Sequence, residues 1–354
     1  MLARRGKLRI LRRRAIPESG FPNMAAHTID VVGIGNAIVD VLSQATDDFI
    51  AAEKLTKGTM ALIDEPRAQA LYGKMGPGIE ASGGSAANTI AGIASLGGKA
   101  AYIGKVAEDL LGKVFAHDLR AAGVQYDTVP LKAGPATARC LILVTPDAQR
   151  TMNTFLGASV EFQPGDVDRA LVEAAQVTYL EGYLFDRPLA KEAFRQAGEI
   201  AHKAGRKVSL TLSDPFCVDR HRADFRDLIR GHVDILFANE AEICSLYETK
   251  DFDKAAASVR GEAEIAVLTR SEKGATVITA KDSVSVPAAP VPRVVDTTGA
   301  GDLFASGFLY GFTRGKAMAQ CAKLGALCAA EIISHFGARP ETNLKDLAAK
   351  AGLV

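Results

Sequence analysis

The sequence predicts a three-layer α/β/α sandwich with a mostly parallel central sheet and a separate small β-sheet that serves as a lid. Three observations carry that expectation. From residue 166 onward, short apolar runs alternate with longer amphipathic ones, the pattern of βαβ units joined by right-handed crossovers. Residues 81–98 read as a glycine turn opening a helix of small residues. Two segments, about 41–66 and 124–156, are richer in β-branched and alternating residues than their surroundings, which sets their strands apart from the main layer.

The chain opens on a basic leader. Residues 1–23 carry seven basic side chains and one acid, and the rest of the chain holds 35 basic against 40 acidic residues. An Arg-rich, acid-poor leader suits a transit peptide or a nucleic-acid arm. A disordered extension is the plainer reading, with Met24 beginning a compact unit over 24–354, because the first strand starts only a few residues later. That strand, 29–36, is a short apolar run ending in glycines. Gly33-x-Gly35 is not a dinucleotide fingerprint, since position 38 is Ile, and the chain has no G-x-x-x-x-G-K-[ST]. Asn36 and Asp40 place two polar groups beyond a strand end, where α/β sheets bind ligands; turn capping is the blander role for the pair.

The small-residue helix opens at Gly83-Gly84 and closes at Gly97-Gly98. Asn88 lies about one turn in, within reach of a ligand at the helix start, although tight helix packing also explains the small side chains. Residues 101–106 follow as a strand and 108–122 as a helix. Residues 137–145 and 150–155 flank the turn signal Pro146-Asp147 and read as a hairpin. Beyond it come helix 166–175, strand 177–180, helix 189–204, strand 207–212, strand 235–238 and helix 240–246. Asn239 and Glu242, three apart at a helix start, share a face. An amide and a carboxylate there suit a hydrated Mg²⁺, and they equally suit a capping box. Residues 265–274 form a strand running into a polar turn closed by Gly274.

After the Pro-spaced segment Pro287, Pro290, Pro292, small residues run from Thr297 to Gly301 and an apolar helical pattern starts at Leu303. Gly299, Ala300 and Gly301 free the backbone to present consecutive N–H groups at the positive end of a helix, a site for phosphate. Asp302, beside that cradle, is placed either to take a proton from a hydroxyl attacking the phosphate or to cap the helix. Helices 317–333 and 344–351 are amphipathic enough to cover a sheet face.

Composition narrows the class. A chain of 354 residues with 48% hydrophobic and 23% charged residues holds one large α/β unit with an accessory piece, or two modest domains. A net charge of +1 argues against a general nucleic-acid binder, and no apolar run reaches the ~18 residues of a membrane span. Five scattered cysteines form no C-x-x-C pair and no zinc spacing, which reads as reduced thiols in a cytoplasmic protein. A lid edge strand either stays exposed or pairs between subunits, so both monomer and homodimer fit.

Two motifs resemble signatures of one family. The stretch 296–302, DTTGAGD, resembles the C-terminal signature of the ribokinase-like carbohydrate and nucleoside kinases, and 83–112, GGSAANTIAGIASLGGKAAYIGKVAEDLLG, resembles their N-terminal one. They occur in the family's order. The resemblance implies the ribokinase-like fold, with Asp302 as catalytic base and Gly299, Ala300 and Gly301 as anion hole. It implies that Asn36, Asp40, Gly84, Ser85 and Asn88 grip the acceptor's sugar hydroxyls. By the same likeness Thr269, Ser271, Gly274 and Asn239 contact ATP, Asn239 and Glu242 hold hydrated Mg²⁺, and Arg150 faces phosphate. Residues 33–40, 212–216 and 233–240 look like adenosine kinases within that family, although Tyr183-Leu184 stand where those enzymes carry aromatic residues against the base. The implied reaction is purine salvage: γ-phosphoryl transfer from ATP to the 5′-hydroxyl of adenosine, giving AMP. A kinase for ribose or fructose is the alternative in the same class, and a non-catalytic nucleoside-binding protein the alternative outside it.

Overall fold

The computed structural model describes residues 28–147 and 149–354, so the basic leader lies outside the described residues. The strands, in chain order, are β1 (Ile29–Ile34), β2 (Ile38–Gln44), β3 (Met60–Leu62), β4 (Gly78–Gly83), β5 (Ala100–Ile103), β6 (Val124–Tyr126), β7 (Ala138–Val144), β8 (Arg150–Phe155), β9 (Ala175–Glu181), β10 (Lys207–Thr211), β11 (Ile235–Asn239), β12 (Ile265–Thr269), β13 (Ala275–Thr279) and β14 (Ser283–Val286). They form two sheets. The larger has nine strands in the order β14-β13-β12-β11-β10-β9-β1-β5-β6, and the smaller five in the order β3-β8-β7-β2-β4.

The larger sheet is parallel from β6 to β12 and turns antiparallel only at β13 and β14. β1 sits inside it, with Val31 paired to Ala100 on one side and Val177 on the other. The chain fills the sheet first through β5 and β6, then returns past β1 to lay down β9–β12. That reversal opens a crevice at the carboxyl ends of the strands, where α/β sheets take their ligands.

Helices α1 (Asp47–Ala52) and α2 (Glu65–Tyr72) accompany the small sheet, and α3 (Ser85–Ser95) and α4 (Leu110–Ala121) lie on one face of the large one. The next five, α5 (Arg169–Ala174), α6 (Pro188–Lys203), α7 (Pro215–His232), α8 (Glu240–Leu246) and α9 (Phe252–Val259), cover the opposite face. The chain then returns to the first face with α10 (Ala300–Thr313), α11 (Met318–Ile332) and α12 (Leu344–Lys350). Alternate residues of the buried parallel strands feed the two faces: Val32, Ile34, Leu180 and Leu210 pack under α5–α9, while Val31, Val177, Ile235 and Val267 pack under the other helices. Among the described residues no helix is long and apolar enough to cross a membrane.

The small sheet follows the same alternation. Val41, Leu141 and Leu143 point to one side and are sealed by Ile50 and Leu71 from α1 and α2. Ile38, Asp40, Cys140 and Ile142 point to the other, into a cavity between the two sheets. Three expectations are corrected here. β6, within the segment assigned to the small sheet, is an edge strand of the large one, because Val124 and Tyr126 are buried against α4 and β5. β4, outside both assigned segments, pairs with β2 in the small sheet. α12 packs on α3, α10 and α11 instead of on a sheet, with Leu344 and Ala348 against Leu96, Leu303 and Leu324.

Candidate active site

A cavity of about 530 Å³ lies between the small sheet and the carboxyl ends of β1, β9, β10, β11 and β12. At its floor, α10 begins with Gly299 in the left-handed region at φ 78°. A Cβ at Gly299 would lie 3.2 Å from Ala338, so both backbone angle and space favour glycine there. The helix start carries no side-chain cap. The Ala300 N–H is taken by the Thr297 carbonyl at 3.2 Å, and Leu303 N–H by Gly299 at 2.8 Å. Among the described residues no bond occupies the N–H groups of Gly299, Gly301 and Asp302, so the open donors are these and not the expected set that included Ala300. A Cβ at Gly301 would meet no protein atom: the space above it belongs to the cavity.

Asp302 stands in the first turn of α10 and faces α3. Ser85 Oγ donates to its Oδ1 at 2.6 Å and Asn88 Nδ2 to its Oδ2 at 2.9 Å. α3 comes this close because Gly92 has no side chain: a Cβ there would lie 2.6 Å from Ser306 Oγ and 2.7 Å from Leu303 Cδ1 on α10. The close packing of α3 on α10 is therefore what brings Ser85 and Asn88 to Asp302. Burial raises the Asp302 pKa, and the bonds from Ser85 and Asn88, with the nearby Arg339 charge, partly offset the rise.

Asn36 is fully buried. Its N–H and Nδ2 both donate to Glu181 Oε1, at 3.2 and 2.8 Å, and Ala86 N–H donates to Glu181 Oε2 at 2.8 Å. Glu181 thus ties the ends of β1 and β9 to the start of α3. Burial pushes its pKa up to about 7. Asp40, on β2, has no hydrogen bond to its carboxylate among the described residues, and burial raises its pKa to about 6 against the pull of Arg339 and Arg150. Two acceptors in this wall, Asn36 Oδ1 and Asn88 Oδ1, are buried without partners among the described residues. Such atoms are open to donors from outside the protein, from water or from a ligand. Arg339 closes the wall behind, donating to Ser82 O, Ser82 Oγ and Ala87 O at 3.1, 3.1 and 2.6 Å.

Asn239 and Glu242 form the capping box of α8. Asn239 Oδ1 accepts from Glu242 N–H at 2.9 Å, and Glu242 accepts from Asn239 N–H at 2.9 Å and Nδ2 at 2.5 Å. Both line the cavity, and burial lifts Glu242 to about 7. Among the described residues no three His, Cys, Asp or Glu side chains gather into a metal cage. The pair therefore fits a divalent ion only through water, its carboxylate lone pairs still able to accept from a hydration shell.

The remaining expected residues are spread more widely. Thr269 lines the cavity and also a shallow groove beyond it that includes Asn239, Ser271 and Lys273. Gly274 faces neither: its φ of 85° and the Val286 carbonyl, 2.0 Å from where a Cβ would stand, make it a backbone crossing against β14. Arg150 is absent from the cavity lining. Its Nη2 lies 2.6 Å from Asp296 Oδ2 and its Nη1 donates to Thr298 Oγ1 at 3.1 Å, both side chains nearly buried. Asp296 also accepts from Thr298 N–H, Thr298 Oγ and Gly337 N–H, at 3.0, 2.8 and 3.0 Å. Arg150 thus links the small sheet to the loop that leads into the cradle. Sequence reasoning missed Glu181, Asp296 and Arg339 as parts of the site. An acid closing the apolar strand that ends at Leu180 was a usable signal for Glu181; Arg339, in a loop without periodicity, offered none.

The model of the pfkB family carbohydrate kinases matches residues 79–344. A solved adenosine kinase from Sinorhizobium meliloti is 51% identical, with a TM-score of 0.86 over 92% of this chain and 100% of that one. A solved probable sugar kinase protein from Rhizobium etli CFN 42 is 53% identical, with a TM-score of 0.87 over 93% of this chain and 100% of that one. The adenosine kinase of Saccharomyces cerevisiae is 26% identical over 332 residues, 88% of this chain and 96% of its own length. A phosphotransferase acting on an alcohol group follows from this likeness, with a small-molecule acceptor and ATP as substrates.

Proposed function

We propose, from the premise that the chain belongs to the pfkB family of carbohydrate kinases, that it phosphorylates the 5′-hydroxyl of adenosine with ATP. The observation that carries this reading is the polar floor of the cavity next to an apolar slot. Asp302 is held by Ser85 and Asn88, and the partnerless acceptors Asn36 Oδ1 and Asn88 Oδ1 line the same cavity together with the Asp40 carboxylate. A ribose ring supplies hydroxyl donors for such a set. The same cavity is also lined by three exposed apolar side chains, Met60, Leu62 and Phe216. A free sugar has nothing to cover them, whereas a nucleoside base does. The relatives named adenosine kinases support the same acceptor.

Asp302 Oδ accepts the proton of the attacking hydroxyl as that oxygen closes on the γ-phosphorus. The free N–H groups of Gly299, Gly301 and Asp302 face the charge that grows on the transferred phosphoryl oxygens. Arg150 acts one step back, fixing Asp296 and Thr298 and so the geometry of the cradle. Asn239, Thr269 and Ser271 mark the groove through which the nucleotide enters. Mg²⁺, held through water at Asn239 and Glu242, would supply charge neutralisation at the phosphates. The small sheet excludes water from the cavity when it lies over the acceptor.

The test is an ADP-release assay with Mg-ATP and adenosine, inosine, ribose or fructose. Turnover on adenosine is expected, and Asp302→Asn is expected to lower kcat by about 10³-fold while ATP still binds. Turnover on a free sugar alone would replace the acceptor, and a fully active Asp302→Asn would remove Asp302 from the base role.

A further inference from the structure

One group on the cavity wall has no part in phosphoryl transfer. Phe216, in the first turn of α7, is 61% exposed yet lines the cavity. The Arg220 guanidinium lies 4.4 Å from its ring centroid on one face. Arg220 Nη2 is 3.0 Å from Asp186 Oδ1, and His221 Nε2 is 2.5 Å from the same oxygen. Asp186 and Arg220 both line the cavity. Their ion pair is partly exposed, Asp186 by 25% and Arg220 by 33% of the side chain, so its share in stability is small. α7 itself breaks at His221, whose φ of −126° and ψ of 21° leave the helix, and Ser213 ahead of it takes φ 74° without being glycine. Backbone held in a sparse region beside a cavity marks a place where side-chain direction matters more than local ease.

We propose that Asp186 and Arg220 read the hydrogen-bonding edge of the acceptor's base, with the open face of Phe216 stacked on its ring. The inference rests on the nucleoside reading given above and adds the residues that select the base. Asp186 Oδ2 accepts one bond, from Arg220 Nη2 at 3.2 Å, and retains lone-pair capacity. It takes an exocyclic amino N–H, while Arg220 donates to the neighbouring ring nitrogen. An amino-substituted base such as adenine or cytosine matches that order. An oxo base sets its carbonyl oxygen against the carboxylate, acceptor facing acceptor, and forfeits the bond that the amino group makes.

The experiment measures kcat/KM for adenosine, inosine, cytidine and ribose in the wild type, Asp186→Asn, Arg220→Met and Phe216→Leu, with a thermal midpoint for each. The wild type is expected to favour adenosine and cytidine over inosine. Asp186→Asn and Arg220→Met should each cut the adenosine-to-inosine ratio by about tenfold or more, through KM, with ribose turnover unmoved. Phe216→Leu should lower all nucleosides together and leave that ratio alone. If Asp186→Asn fails to fold, Arg220→Met decides. A selective wild type whose folded variants keep its ratio overturns this inference alone. A wild type that turns over ribose and no nucleoside overturns the acceptor reading, and this inference with it.

Discussion

Asp302, Asp40, Glu181 and Glu242 meet around one cavity, and burial raises the pKa of all four. In the proposed reaction Asp302 and Asp40 act as carboxylates, one taking a proton and the other accepting hydroxyl bonds. A raised pKa means that the charged form is complete only above the shifted value and is lost as pH falls through it. The prediction is an acid limb in kcat/KM for the acceptor, rising to a plateau above a pH near 6, the value of Asp40. Because the four groups share one cavity, the limb belongs to the set and not to a single residue. A profile flat from pH 5 to 8 would contradict the placement of these carboxyls in the reaction. Glu181 differs in kind. All three donors it satisfies belong to the protein, so it orders Asn36 and α3 rather than the substrate.

At the scale of elements, the site depends on how closely α3 approaches α10. Gly92→Ala would place a methyl 2.6 Å from Ser306 Oγ and drive the helices apart, at about 1–3 kcal/mol, moving Ser85 and Asn88 off Asp302. Gly301→Ala meets no protein atom and should leave stability unchanged while lowering kcat, because its methyl enters the space over the cradle. Denaturant midpoints and turnover on the two variants separate the cases; a Gly301→Ala enzyme of full activity would show that no reacting group passes there. These elements were largely legible in the sequence. The period-two run of β7 and β8, the glycine-bounded α3 and the apolar start of α10 each carry a local signal. What was not legible depends on contacts distant in the chain. β6 joins the large sheet through pairing with β5, and the Arg150–Asp296 pair spans 146 positions, so no local pattern announces either. The Asn239/Glu242 spacing allowed both a capping box and a metal role, and the fold builds the capping box.

At the scale of the molecule, the chain passes between the two sheets four times: at 35–37, at Gly84, over 127–137 and over 156–174. The small sheet is thus no separable module: four chain crossings hold it to the large one, and the Arg150–Asp296 pair ties it to the loop before α10. Two of the four tethers carry residues expected to bind the acceptor, since Asn36 lies in the first and Gly84 is the second. A ligand gripping Asn36 grips one of these crossings, so seating the acceptor is expected to stiffen the joint between the sheets. Amide hydrogen exchange should report it, with the acceptor slowing residues 35–37 and 83–88 together while amides of α5–α9 keep their rates. Slowing in only one of the two stretches would mean that the tethers move independently. Slowing of both together would make occupancy and closure one mechanical event, with no separate signal needed to tell the cover that the seat is filled.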